Sequence, residues 1–582
     1  LYQQFQLILE PIKDWKIFGE LNYRTTTEFL HKDVNLVTKY DVSNNPWTNP
    51  AEQSSVLEQA TKNNFFNPNV YTEYFKELNG GHAFKVMVGF QAELNKYREL
   101  GASRTDMITS NLPTLNTSTG TDKITKGGYS HWATAGFFGR INYNYKERYL
   151  LEVNARYDGT SRFSRDNRWN VFPSVSAGWI VSSEEFMKDI RFLDFLKLDV
   201  SYGLSGNDDL QNYATRSYFN SINFMGSANG LILANYKNDK LKWETTGKAK
   251  FGVDLSMFNN RWSVRADFFT STTKDLLIRK QLPETSSLEY SLTNDGKLKN
   301  KGFEIATNMR ILNLRSWQLD FGAMLGHYKN KIVSLAGGSY TTDFQGARIL
   351  TAENSPAGVF YGYKTKGVFS TSEEAAAAGL SLRSESGELI PFSAGDMRFE
   401  EVVEDHVINE KDLQVIGDPN PDLYGNFNFN LRYKNLTLET LFTYSYGNDA
   451  YNGLRANLES GSNIYNQATS MQNRWVANGQ KTDIPRAVYK DPMGNSRFSD
   501  RWIEDASFLK FKTLSVSYKV PLNLSYLQEI TVWGTVNNLF TLTKYKGADP
   551  EFSYGNSVLY QGIDAGLTPQ SRSFLIGVRV NL

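Results

Sequence analysis

The chain of 582 residues contains no cysteine. That excludes a disulfide, a thiolate metal site and a thiol nucleophile. It also lacks any apolar run approaching the roughly 20 residues that a membrane-spanning helix needs. Neither sign of charge predominates: 63 basic residues against 62 acidic ones leave a net charge of +1, so no basic field points to nucleic acid. Histidine is scarce and scattered (His31, His82, His131, His327 and His406), with no His-x-His or His-Glu-x-x-His spacing. No phosphate-cradling glycine loop and no Gly-x-Ser-x-Gly elbow stands out. The carboxylate pairs Glu184-Glu185 and Glu373-Glu374 have the chemistry for glycoside hydrolysis, but read more simply as solvated faces of short helices over 183–193 and 372–379. These absences argue against an enzyme, the alternative being an outer-membrane phospholipase or protease, and no cofactor or metal is expected. No signal peptide is recognisable either; strand-like sequence starts at Leu1, so the native N-terminus is expected to lie upstream.

What the chain does have is aromatic residues, 14% of the total, with 32 Tyr, 37 Phe and 11 Trp. They sit in a polar average, with a mean hydropathy of -0.46. A transmembrane β-barrel has this composition, because only every second residue of a strand faces lipid and Tyr, Trp and Phe gather at the interfaces. Period-2 alternation recurs along the sequence. In 149–157 one face reads Tyr149, Leu151, Val153, Ala155, Tyr157 and the other Leu150, Glu152, Asn154, Arg156. The segments 262–268 and 317–323 alternate in the same way, as do Phe574, Ile576, Val578, Val580 and Leu582 with their polar neighbours. A soluble sandwich shares this alternation, so the connections decide between them. Very short turns fall at Pro11-Ile12-Lys13, Asn79-Gly80-Gly81, Lys146-Glu147, Phe258-Asn259-Asn260, Asn313-Leu314 and Lys434-Asn435. Long polar connections fall between them, at 27–67, 95–129, 206–245, 331–421, 448–506 and 542–570. Short periplasmic turns alternating with long extracellular loops are what a membrane barrel predicts.

About 17 strands are expected in an all-β, transmembrane antiparallel barrel. They are 2–10, 14–26, 68–78, 82–94, 130–145, 148–158, 171–182, 194–205, 246–256, 262–276, 299–311, 316–330, 422–433, 435–447, 507–519, 528–541 and 571–582. With the short turns in the periplasm, the first and last of these strands both run downward. An odd number of strands, five for a barrel of about 22, is then expected before Leu1, together with the plug that so wide a lumen requires. Residues 1–582 are thus expected to be one partial barrel domain.

Several motifs go further. Tyr157-Asp158-Gly159-Thr160-Ser161-Arg162-Phe163, Arg168-Trp169 and Phe172-Pro173-Ser174-Val175-Ser176-Ala177-Gly178-Trp179 occur in succession. They are followed by Ser201-Tyr202-Gly203, Ser205-Gly206-Asn207, Trp243-Glu244, Lys301-Gly302-Phe303-Glu304 and Tyr361-Gly362-Tyr363-Lys364. Ile416-Gly417-Asp418-Pro419-Asn420-Pro421-Asp422, Asn537-Asn538-Leu539-Phe540 and Asp549-Pro550-Glu551 complete the series. In kind and order these resemble the SusC/RagA family of TonB-linked outer-membrane transporters, over essentially the whole chain. The resemblance implies a 22-stranded barrel with an N-terminal plug and TonB box, a SusD-like surface lipoprotein as lid, TonB as energy source, and import of glycans or oligopeptides in Bacteroidota. It also allows two barrel-lid pairs to associate as a dimer. Gly159, Gly206, Gly302 and Gly417 are expected at turns or strand ends, where a side chain would clash or φ is positive. Where many relatives carry an acidic calcium-like loop, this chain has Glu400-Glu401-Val402-Val403-Glu404-Asp405-His406-Val407-Ile408. It lacks the turn glycine and spaced oxygens of a calcium site and reads as a solvated acidic loop. The final residue, Leu582, replaces the aromatic common at the end of such barrels.

Substrate is expected among the long loops and the upper lumen, where aromatic faces stack on sugars or peptide side chains. The candidates are Trp47, Phe65, Phe66, Tyr340, Phe344, Tyr361, Tyr451, Tyr465 and Trp475, with packing of the loops' own cores as the plainer role for each. Loops 206–245 and 331–421 are the expected contact surface for the lipoprotein. A passive pore, or a surface receptor or adhesin without a lid, is the alternative function for the same wall.

Overall fold

A computed structural model describes all residues except 48–52, 121–122, 225, 227, 284, 287, 289, 522–526, 556 and 582; Leu582 therefore lies outside the described residues. Among the described residues, seventeen strands make up one large antiparallel sheet. They are β1 (Tyr2–Ile12), β2 (Trp15–Val34), β3 (Ser55–Leu78), β4 (His82–Thr105), β5 (Lys123–Tyr145), β6 (Tyr149–Thr160), β7 (Trp169–Ile180), β8 (Leu193–Asn207) and β9 (Glu244–Met257). Then follow β10 (Trp262–Lys274), β11 (Lys297–Asn313), β12 (Trp317–Ser334), β13 (Leu423–Tyr433), β14 (Leu436–Tyr446), β15 (Phe508–Val520), β16 (Glu529–Thr543) and β17 (Ser573–Asn581). The chain divides into two compact units, one made of 1–179, 201–247 and 274–295 and the other of 180–200, 248–273 and 296–582. Within the first, β1 to β7 pair each with the next in an up-and-down meander. Within the second, β11 to β17 do the same.

The alternation in the sequence becomes two chemically distinct faces. On β6, Tyr149, Leu151, Val153 and Tyr157 are exposed at 41–45% of their surface. Such a row is costly in water, at about 25 cal/mol per Å² of apolar area, and is accommodated by lipid. The opposite face is wet and cross-linked. Asn142 and Asn154 donate to Glu152 at 2.6 and 2.7 Å, and Arg156 grips Asp158 at 2.9 and 3.0 Å. In the second unit Arg265 donates to Asp199, Asp254 and Asp267, while Lys250 lies 3.2 Å from Asp267.

Thirteen strands match their expected spans to within four residues at either end, and four are much longer. β2 runs on to Val34, β3 starts at Ser55, β4 ends at Thr105 and β5 starts at Lys123, so most of the connections expected at 27–67 and 95–129 is strand. The reason is polarity. The extensions pair Thr25 with Asn64, Thr26 with Asn63 and Thr27 with Lys62. Polar residues fall on both faces and apolar ones such as Phe29 and Leu30 are adjacent rather than alternating, so these segments carry no period-2 signal. Twenty-four residues span roughly 80 Å, far more than the roughly 30 Å hydrocarbon layer, so these halves project into water.

The short connections are set by left-handed backbone. Lys146 and Glu147 both have φ 54°, and Gly80 and Gly81 have φ 92° and 85°. Phe258, Asn259 and Asn260 hold φ near 59° in succession, closed by the Arg261 amide donating to the Met257 carbonyl at 3.0 Å. Two turns are displaced from their expected places: Pro11 and Ile12 belong to β1, and Asn313 to β11. A register shift between Leu9 and Ile12 absorbs the proline, and the turn falls at Asp14, φ 68°. A helix, α1 (Ser372–Ala378), forms where expected, capped by Thr371 and by Gly379 at φ 64°. The region 183–193 has 3-10 turns instead, at Val181–Ser183 and Glu185–Met187.

The four motif glycines all lie in strands and none has positive φ, so close packing is their explanation. A Cβ on Gly159 would meet the Trp169 ring at 2.5 Å, on Gly206 the Phe172 ring at 2.2 Å, and on Gly302 the His327 carbonyl oxygen at 2.2 Å. Backbone cannot yield as a side chain can. Gly302→Ala is therefore expected to destabilise the β11–β12 ladder by about 1–3 kcal/mol and reduce the heat-modifiable folded species on gels. Gly19→Ala, whose Cβ meets nothing within 4 Å, leaves it unchanged.

Candidate functional site

In the second unit the long connections fold into an assembly of their own. The β12–β13 connection contributes strands Ser339–Phe344, Ala347–Ala352, Val359–Gly362 and Gln414–Gly417, which form one small sheet. Asp449–Asn452 pairs with Ile503–Asp505 and, in parallel, with Ile563–Asp564, which ties the β14–β15 connection to the β16–β17 connection. A bridge between Tyr363 and Ser499 ties in the first. Among the described residues three apolar clusters fill the interior. One is built from Phe369, Leu380, Phe392, Met397, Phe399, Ile408 and Met493, a second from Ile349, Phe360, Tyr451, Trp502 and Ile563, and a smaller third from Ala450, Ala506 and Tyr545.

Buried charge staples the assembly. Asp396 is fully buried and accepts from Nε and Nη2 of the Arg486 guanidinium at 2.9 and 3.0 Å, from Asn495 at 3.0 Å and from the Ser393 amide and hydroxyl. Asp412, also fully buried, accepts from the amides of Val402, Val403 and Asn409. Trp502 has the Arg501 guanidinium 4.3 Å and the Arg455 guanidinium 5.6 Å from its ring centroid. Arg455 is neutralised by Glu459 at 3.1 Å and Glu504 at 2.9 Å. Burial draws Arg501 down to about 10, against the pull of Glu459.

The aromatic candidates divide by environment. Tyr451 is 5% exposed, in an edge contact with Phe498, and its burial pushes the phenol up to about 12. Phe344 packs on that cluster and against the rings of Tyr554 and Tyr560. Trp475 lies over Gly395 and donates its indole N–H to the Ser370 carbonyl at 3.1 Å. Tyr340 pairs with Thr351 in the hairpin and is partly buried. Tyr361 lines a cavity, and Tyr465 is 77% exposed. In the first unit Phe65 and Phe66 lie in β3, not in a loop. Phe65 contacts Trp132 and the Arg24 guanidinium, and Phe66 is exposed on the other face. Trp47 is exposed, with the Lys39 ammonium 5.6 Å from its ring. Within the second unit the structure thus gathers Phe344 and Tyr451 into one cluster.

The cavity beside Tyr361 measures about 590 Å³. Its wall carries residues that sequence patterns do not flag, because each is a single charge in a polar loop: Asp343, Arg348, Arg383, Glu410 and Arg497. Asp343 grips Arg348 at 2.9 and 3.3 Å and raises its pKa. Arg497 donates to the carbonyls of Gly494 and Met493, each at 2.7 Å, and lies 4.6 Å from the Phe399 ring centroid and 5.0 Å from that of Tyr363. Burial lowers its pKa. In the acidic stretch 400–408, Glu400 bonds Gln414 and Lys366, and Glu401 accepts from the His406 amide. Among the described residues no three His, Cys, Asp or Glu side chains are grouped to hold a metal, and no helix is long and apolar enough to cross a membrane.

Residues 4–539 match the family model described as TonB dependent receptor-like, beta-barrel. The chain belongs to that family. The SusC/RagA likeness of the motifs holds within it. TonB-dependent receptor P3 of Formosa agariphila is 31% identical over 530 residues, covering 88% of this chain and 51% of the relative. TonB-dependent receptor SusC of Bacteroides thetaiotaomicron is 27% identical, covering 88% and 49%. The RagAB peptide transporter superposes over the whole chain with a TM-score of 0.82 at 22% identity, covering 62% of that structure's chain; at this identity the match speaks for the fold. The chain spans about half the length of the curated relatives it matches. As a TonB-dependent receptor barrel it resides in the outer membrane, and its family is one of receptors and transporters.

The Asp396 staple can be tested without disturbing the wall. Asp396→Ala strands Arg486 and is expected to weaken local structure by about 3 kcal/mol. Hydrogen exchange should quicken over 392–399 and 484–495, while heat-modifiable migration stays normal.

Proposed function

We propose that the chain is the barrel part of an active importer of a bulky nutrient, an oligosaccharide or oligopeptide. In this reading a plug and TonB box belong to the half of the relatives' length that this chain does not span, within a barrel of about 22 strands. The outer membrane has no ATP and holds little potential, so energy comes from the inner membrane through TonB. A SusD-like lipoprotein closes over the long loops, and 206–245 and 331–421 offer it the contact surface. The observation that carries the reading is membership of the TonB-dependent receptor barrel family. The relative named SusC, and the RagAB assembly described as a peptide transporter, support it. So does the folding of long loops into an ordered assembly with a cavity, an expense that a simple pore does not require.

Within that assembly Tyr361 and Tyr465 are the aromatic candidates that remain open to a ligand. Tyr361→Ala or Tyr465→Ala is expected to lower nutrient uptake several-fold with heat-modifiable migration unchanged; failure of the barrel to assemble would make the residue structural. Native mass spectrometry of the full-length protein, extracted gently from its own outer membrane, should find one lipoprotein per barrel, either as a single pair or as a dimer of such pairs. A barrel that never carries a lipoprotein would favour an unlidded receptor, adhesin or pore.

A further inference from the structure

We propose that the cavity beside Tyr361 recognises a carboxylate group of the imported substrate, an inference that rests on the import reading above. The argument begins with charge. Five ionisable groups other than tyrosine line the cavity, three of them guanidinium groups and two carboxylates. Both carboxylates serve the same partner: Asp343 lies 2.9 Å from Arg348, and Glu410 lies 3.9 Å from it. Arg383 donates to the Gly387 carbonyl at 3.0 Å. Arg497 spends two of its N–H groups on the Gly494 and Met493 carbonyls. Neither Arg383 nor Arg497 has a carboxylate within ion-pair distance among the described residues, so the wall holds one cation in excess.

That excess is placed where it is expensive. Arg497 is partly buried, and burial already pulls it toward its neutral form. The rings of Tyr363 and Phe399 compensate in part through their faces, but a ring supplies no hydrogen-bond acceptor. A guanidinium has five donors in a fixed fork, so after its two carbonyls Arg497 keeps donors for a further acceptor. Backbone carbonyls hold the group in place, so its side chain need not be ordered again when an anion binds. The Tyr363 hydroxyl can accept one of the remaining guanidinium N–H groups and still has its own O–H to donate, so at least one further guanidinium donor stays available. A carboxylate is the acceptor that matches a planar fork. The Tyr361 ring on the same wall suits an apolar or sugar face beside it, and about 590 Å³ lies within the usual range for a site that takes a small ligand or the end of a larger one.

A substrate carboxylate has two sources, the uronic acid of an acidic glycan and the C-terminus or acidic side chain of a peptide. Isothermal titration calorimetry on the full-length protein, with whatever lipoprotein accompanies it, separates them. The probes are tetragalacturonate against neutral galactotetraose, and a hexapeptide with a free C-terminus against its C-terminal amide. The expected result is that one acidic probe binds and its neutral counterpart binds at least tenfold more weakly. Arg497→Lys keeps the charge but loses the fork and should weaken the acidic probe at least fivefold. Arg383→Gln, at an exposed position, should weaken it several-fold with folding intact. Equal affinity for acidic and neutral probes, no binding by either acid, or indifference to both substitutions overturns the proposal. Deletion of the gene is scored separately by nutrient uptake. Lost uptake without acid discrimination removes the carboxylate site and keeps import; acid discrimination with unchanged uptake does the reverse.

Discussion

Inside hydrocarbon, a peptide N–H or C=O finds no water, and each one left unpaired costs several kcal/mol. The architecture of this chain follows from that constraint. Each long strand is hydrogen-bonded to its sequence neighbours in β1 to β7 and in β11 to β17, so the ladder satisfies the backbone in turn. Once the backbone is paired, side chains must divide between two solvents. The exposed row Tyr149, Leu151, Val153 and Tyr157 faces one way, and the ladder of Glu152, Asn154 and Arg156 faces the other. The polar average and high aromatic content of the sequence are consequences of that division.

The loops face the opposite problem. They are in water, so their backbone is satisfied without folding, and order must come from burial. The Phe369–Phe399 cluster and the Phe360–Trp502 cluster provide it, and Asp396 and Asp412 add direction by tying specific amides and guanidinium groups together. In the first unit Phe163, Phe172 and Trp243 do the same work, with the Trp243 indole donating to the Arg168 carbonyl at 2.9 Å. Residues that read as signatures of the family are here the packing of its loops. The aromatic residues named as candidate platforms illustrate the division: Tyr451 and Phe344 are committed to the interior, whereas Tyr361 lines the cavity and Tyr465 is exposed.

Legibility followed the physics of each region. Strands with one face toward lipid declare themselves, because alternation is strict where a charge on the wrong face is costly. The extensions of β2 to β5 were not legible, since Thr25 opposite Asn64 or Thr27 opposite Lys62 carries no apolar period. The glycines of the motifs were half legible: the close approach was foreseeable, but not that the neighbour of Gly302 would be a backbone carbonyl. Trp475 drew notice as an aromatic in a loop, whereas Arg497, which lines the cavity, looked like any other basic residue.

By itself, the sequence determined the class of the protein, the number of its long strands, the alternation of short and long connections and the family to which it belongs. All of these depend on periods and motifs shorter than about 20 residues, the range over which covalent neighbours report a common environment. Only the tertiary structure decided which loop residues come together. Asp396 meets Arg486 across 90 residues, and Tyr363 meets Ser499 from a different connection. Such contacts are chosen by the closing of long loops around shared apolar clusters, where sequence distance adds little cost and leaves no local mark.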